Sequence, residues 1–313
     1  MLIQKYEDWM RPQVISLFDN EYQTGEENFD LVFGNFYEHS FQRERCIRIV
    51  ALDGDKVAGF QSFFYWPISV GERILESYQS GNSLVHPDYR GRGIFAKLLN
   101  FITDENSGFN CELLIGFPVE ASYNSFIRNQ WKNPLNLHWQ VKILQPIRSL
   151  FANTPKKLSA HFGTRISLDH PVSNDLISVS QNKLFDDYRF SYQKGEYYRY
   201  ITKNAGTFFE MKFQIRRKII KELIIGKIIP GNLSTDSIIR DFAELEREIR
   251  RCNAVSVLSV AVNPNIEPLR AALVHCKYRE LENKIYFICK GELSGLMEDV
   301  KRGWFFRGDI DTW

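Results

Sequence analysis

The sequence predicts an α/β fold built on a mixed sheet, and three observations predict it. Segments with strand-like alternation and segments with helical spacing of apolar residues follow one another along the chain. Short turns rich in Gly, Asp and Pro separate them. Apolar residues make up 44% and aromatics 14% of 313 residues, which excludes a disordered or fibrous chain. At this length two domains, each burying its own core, are expected.

The first half reads in a consistent order. Leu2 to Tyr6 suits a short opening strand, and residues 8 to 20 carry Trp9, Val14, Ile15, Leu17 and Phe18 at mostly helical spacing. A second helical segment, about 27 to 38, gathers Phe29, Val32, Phe33 and Phe36 on one side. Cys46–Leu52 and Lys56–Trp66 are strand-like and joined by Asp53-Gly54-Asp55, a hairpin signal. Ile74 to Val85 reads as one strand. The helix from Gly93 to about Asp104 presents Ile94, Leu98, Leu99 and Ile102 to a core. A strand over Cys111–Phe117, a helix over Ala121–Asn129 and a strand over Leu135–Leu144 close the unit. The order is β-α-α-β-β-β-α-β-α-β over residues 1 to 145.

Composition narrows the function. A formal net charge of +2 creates no field that demands nucleic acid, and the basic pairs at 156–157, 216–217 and 250–251 never lengthen into a tract. Cysteines 46, 111, 252, 276 and 289 form no CxxC pair, and the six histidines show no ligand spacing. No metal is expected, and thiols of this kind suit a reducing, cytoplasmic setting. No signal-type stretch opens the chain and no apolar run is long enough to span a membrane.

Residues 81 to 102 carry most of the chemistry. An apolar strand ends at Val85, a Gly-containing turn follows, and a helix opens near Gly93. Backbone N–H groups of such a turn and helix N-terminus converge on one point and bind a phosphate or pyrophosphate. Gly91 and Gly93 remove the Cβ atoms that would hold a ligand away. Arg90 and Arg92 add permanent positive charge. Neither a Gly-x-x-x-x-Gly-Lys-Ser/Thr loop nor a Gly-x-Gly-x-x-Gly dinucleotide turn is present.

Val85-x-Pro87-x-Tyr89-Arg90-Gly91-Arg92-Gly93-Ile94, followed by Leu98-Leu99, resembles motif A of the GNAT N-acetyltransferases. That motif has the core Gln/Arg-x-x-Gly-x-Gly/Ala and grips the pyrophosphate of acetyl-CoA. Arg90 and Gly93 fit it, whereas Phe95 stands where Gly or Ala is usual. The resemblance implies the GNAT fold over residues 1 to 145 and acetyl-CoA as cosubstrate. It implies a cofactor site formed by Leu84, Val85, Arg90, Gly91, Arg92, Gly93, Ile94 and Phe95. It also implies two central strands that splay apart, with pantetheine in the gap.

After a linker over 146 to 175 broken by Pro146, Pro155 and Pro171, residues 176 to 313 repeat part of the order. Two helix-like segments, the second around Glu196–Tyr200, precede strands at Phe208–Ile215 and Ile219–Ile229. A helix over Ser237–Arg251 with Asp236 as N-cap follows, then a strand at Val255–Val262, a helix at Ile266–His275 and a strand at Lys284–Cys289. The cradle is missing, since Pro230 to Ser237 holds one Gly and no Arg. This is similar to tandem GNAT proteins in which one copy keeps the cofactor site. An unrelated α/β domain is the alternative. Gly303 to Trp313 is too aromatic for a frayed end and is expected to dock, with plain core packing the favoured reading and a place against the first half, with Asp309, Asp311 or the terminal carboxylate near the acceptor, the alternative.

A GNAT-type reaction is direct attack of an amine on a thioester. Backbone N–H groups near Leu84 and Val85 are candidates for the oxyanion. The resemblance places a Tyr after Phe117-Pro118 near the sulfur, which makes Tyr123 the candidate acid. Glu76 on the cradle strand is the first candidate base and Glu120 the reserve. The expected partner is a small-molecule amine, with an amino sugar of surface-polysaccharide synthesis as the leading guess. A non-catalytic acyl-CoA sensor and a tRNA-dependent aminoacyl transferase of the peptidoglycan-branching type are the alternatives. The aromatic run Phe63-Phe64-Tyr65-Trp66 would support a homodimer interface.

Overall fold

The computed structural model describes residues 1–22, 29–145, 152–163, 177–180, 182–192, 195–291 and 296–312. The first half begins with β1 (Leu2–Lys5), α1 (Arg11–Tyr22), α2 (Phe29–Phe33), β2 (Ile47–Asp53) and β3 (Lys56–Tyr65). Two short strands follow, β4 (Ile68–Val70) and β5 (Arg73–Leu75), then β6 (Ser77–Val85), α3 (Ile94–Phe101), β7 (Leu113–Gly116), α4 (Glu120–Arg128) and β8 (Lys132–Ile143). Beyond it lie α5 (Thr154–Ser159), β9 (Ser178–Val179), α6 (Lys183–Tyr192), β10 (Glu196–Ile201), β11 (Phe208–Arg216) and β12 (Ile220–Ile229). The chain closes with α7 (Thr235–Cys252), β13 (Val257–Val262), α8 (Glu267–His275), β14 (Arg279–Lys290) and α9 (Leu296–Lys301).

Eleven strands form one sheet in the order β1-β2-β3-β6-β7-β14-β8-β13-β12-β11-β10. β8 does not lie against β7 as an added strand of the first half. β14, from the other end of the chain, sits between them and pairs antiparallel with both. β8 in turn pairs with β13. Outward from the β14–β8 pair the two sides match: an antiparallel neighbour, a parallel pair (β6 with β7, β12 with β13), then antiparallel strands. The sheet joins three large cores. One lies under α1 and α2 and includes Phe18, Phe33, Phe60 and Phe64. One lies under α3 and α4, with Ile94, Leu98, Leu99 and Phe126. The third lies under α7, whose Ile238, Phe242, Leu245 and Ile249 are all buried as their spacing predicts.

Several expectations are corrected. Ile74–Val85 is not one strand: β5 belongs to a three-stranded sheet with β4 and β9, and Glu76 occupies the break before β6. Glu196–Tyr200 is not a helix but β10, paired with β11 over its whole length, as three tyrosines in a pleated run favour. Ser234, not Asp236, caps α7: its side chain accepts the Ser237 N–H. Phe63, Phe64 and Trp66 are fully buried, because β3 is covered on both faces, so that run offers no interface. Of the expected linker, only 152–163 lies within the described residues, as a short helix.

Candidate active site

β6 is the strand around which the site is built. It pairs in parallel with β7 from Ser77↔Leu113 to Ser80↔Gly116. Beyond that point, among the described residues, Gly81–Val85 has no ladder partner on the β7 side. A bulge adds to the divergence. Phe60 faces Leu84 and Ser62 faces Gly81, so Asn82 and Ser83 together oppose Gln61, with Asn82 at φ +42°. Buried polar side chains hold this shape. Ser62 Oγ donates to Gly81 O at 2.7 Å, Gln61 Nε2 donates to Ser62 O at 2.6 Å, and Asn82 Nδ2 donates to Tyr37 Oη at 2.8 Å. His86 N–H donates to Ala58 O, so alternation turns Val85 towards the open gap and Leu84 back into the β3 ladder.

The segment expected to form the cradle is the turn after β6. A short 3₁₀ helix, Pro87–Tyr89, leads to Gly91 at φ +77° and Gly93 at φ +71°. Only glycine holds these left-handed conformations without strain, and a Cβ at either would point into open space. Gly93 stands at the N-cap of α3, whose first N–H groups have no intrahelical partner. A cleft of about 490 Å³ opens there, lined by Val85, Arg90, Gly91, Gly93 and Phe95, with Ser125 and Arg128 on the opposite wall. Arg90 braces the turn: its Nε donates to Val85 O at 3.1 Å, and it pairs with Glu21 at 2.6 Å. Arg92 donates to Asp88 O and stacks over Tyr89, outside the lining of the cleft. Phe95 turns its ring edge-on to Phe126, at 5.4 Å, and packs in the α3–α4 core. The residue that departs from the motif therefore lines the cleft without filling it. Arg128 was missed from the sequence. Its signal is the 125, 128, 129 spacing that sets Ser125, Arg128 and Asn129 on one face of α4.

A second cavity, of about 530 Å³, begins where β7 ends. Phe117 and Glu120 line it with Tyr286 of β14 and Arg307, Ile310 and Thr312 of the carboxyl-terminal tail. Tyr123 borders it by stacking on Tyr286, with ring centroids 4.3 Å apart. Glu76 is not brought to this place. It is exposed at the opposite end of β6, five residues before Gly81 or about 16 Å along a strand, and its backbone is engaged by Glu112.

Asp311, from the carboxyl-terminal tail, is the carboxylate that lies at the start of the splay. Where a Cβ on Gly81 would stand, Asp311 Oδ2 is 2.9 Å and Phe64 2.5 Å away, so the carboxylate rests on the first unpaired residue of the splay. It is 8% exposed. Burial pushes its carboxyl up to about 6, against the opposing pull of Arg307, of backbone N–H groups and of the Gln79 amide.

The tail reaches this point through the second half. β12 bulges at Gly226, since Glu210 faces Lys227 and Met211 faces Ile225, and its pairing with β13 ends at Ile225↔Val260. Into that gap runs the tail. Trp304 Nε1 donates to Ile228 O at 2.6 Å, Phe306 bridges Val262, and Gly308 packs on the Gly226 backbone. Lys227 Nζ lies 3.1 Å from Asp309 Oδ1, both groups fully buried, and Trp66 Nε1 donates to Asp309 O at 2.9 Å. Arg189 donates to Gly308 O. Among the described residues no group of three or more His, Cys, Asp or Glu side chains could hold a metal, and no helix is long and apolar enough to cross a membrane.

Comparison with known proteins bears on the fold. Residues 4–126 match the family described as acetyltransferase (GNAT) domain. A search of curated proteins gives no match. Among solved structures, the chain is similar to a GCN5-related N-acetyltransferase from Anabaena variabilis, with TM-score 0.66 and 11% identity over 93% of this chain and 72% of that one. It is also similar to a GCN5-related N-acetyltransferase from Kribbella flavida, with TM-score 0.56 and 12% identity over 92% and 70%. A probable N-acyltransferase from Enterococcus faecalis gives TM-score 0.58 and 10% identity over 92% and 72%. Identities this low carry the likeness of fold alone.

Proposed function

We propose that this chain is an acetyl-CoA-dependent N-acetyltransferase acting on a primary amine of a small molecule, with one working cofactor site. The observation that carries the reading is the unpaired edge of β6 ending in the Gly91–Gly93 turn. The residues fit the cofactor: Gly91, Gly93 and the N-terminus of α3 would hold its pyrophosphate, and Arg90 and Arg128 flank them with positive charge. The Val85 N–H would meet the amide-rich pantetheine arm. Bound there, acetyl-CoA supplies an activated acetyl group at the splay.

The chain's own residues then divide the remaining work. Tyr123, at the start of α4, is the proposed proton donor to the leaving sulfur. Residues 176–313 are read as a second copy of the fold, supported by the matching strand order on either side of the β14–β8 pair. In that copy the tail fills the gap between β12 and β13, which leaves no slot for a second pantetheine. Amino sugars head the list of acceptors to be tried.

Thermal unfolding with and without acetyl-CoA tests the reading on wild type and Gly93→Glu. At about 100 times its dissociation constant a ligand stabilises by roughly 2.7 kcal/mol. The shift is expected in wild type and absent in the variant, with thiol release on adding an amine. No shift in either protein refutes the proposal; a shift with no transfer to any amine leaves a CoA-binding sensor.

A further inference from the structure

The acetyltransferase reading leaves one task without a residue. An amine arrives as an ammonium ion and must lose a proton before its nitrogen can attack. Neither candidate base, Glu76 or Glu120, is placed for this: Glu76 is at the wrong end of β6, and Glu120 is exposed on the rim of the second cavity. The tail supplies a third. Asp311 lies on Gly81, at the first residue of the splay, on the side of the sheet that packs Phe64 and α2. A side chain at position 81 would force Phe64 and Asp311 to shift, since its Cβ would come 2.5 Å from the Phe64 ring and 2.9 Å from Asp311 Oδ2.

We propose that Asp311 is the general base of this site, carried there by a tail that the second half holds in place. The proposal rests on the acetyltransferase reading. The acceptor's ammonium gives one proton to the Asp311 carboxylate. The freed nitrogen lone pair forms the C–N bond to the acetyl carbon as the C–S bond breaks. A second N–H proton goes to the departing sulfur, by way of Tyr123, and Asp311 returns its proton to water. Amine and thioester become amide and thiol, with one proton released.

The surroundings suit the role. Arg307 on the tail is the cation that faces Asp311, Gln79 of β6 offers a neutral amide, and Phe64 of β3 is apolar. The neighbouring acid, Asp309, is committed to Lys227 of β12, and Arg189 of α6 is committed to Gly308 O. Across the adjoining cavity stand Glu120 of α4 and Glu282 and Lys284 of β14. A buried carboxyl raised to about 6 is still ionised at neutral pH and binds a proton more readily than an ordinary aspartate. The anchors explain the placement: the tail from Trp304 to Asp309 is fastened to β12, β13 and Trp66 before Asp311 is reached.

The test compares wild type and Asp311→Asn in acetyl-CoA-dependent thiol release across pH 5 to 9. In wild type kcat/KM should rise through a limb near pH 6. In Asp311→Asn that limb should vanish and kcat should fall by about 10²-fold or more, with the acetyl-CoA-induced thermal shift kept. Partial rescue of Asp311→Ala by formate would mark a base rather than a structural contact. The wild-type protein also reports without turnover: the Asp311 carboxyl ¹³C signal should titrate near 6. A wild-type profile flat near pH 6, or an Asp311→Asn enzyme with the wild-type rate and limb, overturns the assignment while leaving acetyl transfer intact. A wild-type protein that transfers to no amine overturns both.

Discussion

Replacing Lys227 by Met should destabilise the chain through a residue far from the cradle. Lys227 and Asp309 form an ion pair of 3.1 Å with side chains 1% and 0% exposed, and Lys227 Nζ also donates to Val179 O at 3.2 Å. Methionine keeps the volume but leaves the Asp309 carboxylate buried and without its cation, with the Phe306 N–H still donating to it at 2.8 Å. Breaking one partner of such a pair costs about 3–5 kcal/mol. The chain could escape by releasing the tail, but that would expose Trp304, Phe305 and Phe306, now at most 1% exposed. At roughly 1.5–3 kcal/mol for each large apolar side chain, release costs more than the unpaired charge, so the tail stays and the fold bears the loss. With an unfolding entropy of about 2.1 cal/mol/K per residue over 313 residues, the midpoint should fall by about 5–8 °C. Differential scanning calorimetry reads the shift. Adding Asp309→Asn to Lys227→Met should recover part of it, because a neutral amide is cheaper to bury than a lone carboxylate. A midpoint within 1 °C of wild type, or strictly additive variants, would refute the reasoning.

Three further outcomes are expected. Tyr123→Phe keeps the ring stacked on Tyr286 and removes only the hydroxyl, so kcat should fall by about 10²-fold with acetyl-CoA affinity unchanged, as steady-state kinetics and ligand-induced melting shifts will show. Gly308→Ala brings a Cβ to 2.3 Å from Gly226 O and 3.1 Å from its Cα, both backbone; a loss of about 1–3 kcal/mol in urea unfolding and a lower kcat should accompany an unchanged response to acetyl-CoA. Stability should also depend on pH through Asp311. Its carboxyl is raised from 3.8 to about 6 in the folded chain, so between these values the folded state binds more protons and stability falls as pH rises. The full loss is roughly 3 kcal/mol by pH 7, of which about 1.3 kcal/mol falls between pH 5 and 7, and Asp311→Asn, though impaired in transfer, should lack this fall in urea unfolding at pH 5 and 7.

Much of the fold was legible because its signals are local. The Asp53-Gly54-Asp55 hairpin, the amphipathic faces of α3 and α7, and the turn from Val85 to Ile94 each lie within one stretch of chain, where periodicity and turn chemistry decide the conformation. The misread segments are those whose state depends on distant partners. Glu196–Tyr200 has no decisive period of its own and is a strand because β11 pairs with it. Ile74–Val85 holds no Pro and no turn signal near Glu76, yet β5 leaves for another sheet.

By itself, then, the sequence determined the turn proposed to hold a phosphate: two glycines in a left-handed backbone and a helix start are set within one short stretch of chain. Tertiary structure alone decided what completes it. No local pattern tells β14 to lie between β7 and β8, because strand order is set by which apolar faces and free edges meet on collapse. Nor does any pattern announce that Arg128 faces Gly93 across a cleft, or that Asp311 comes to rest on Gly81. Those pairings join residues from separate elements or opposite ends of the chain, and they exist only once β12, β13 and Trp66 have seated the tail.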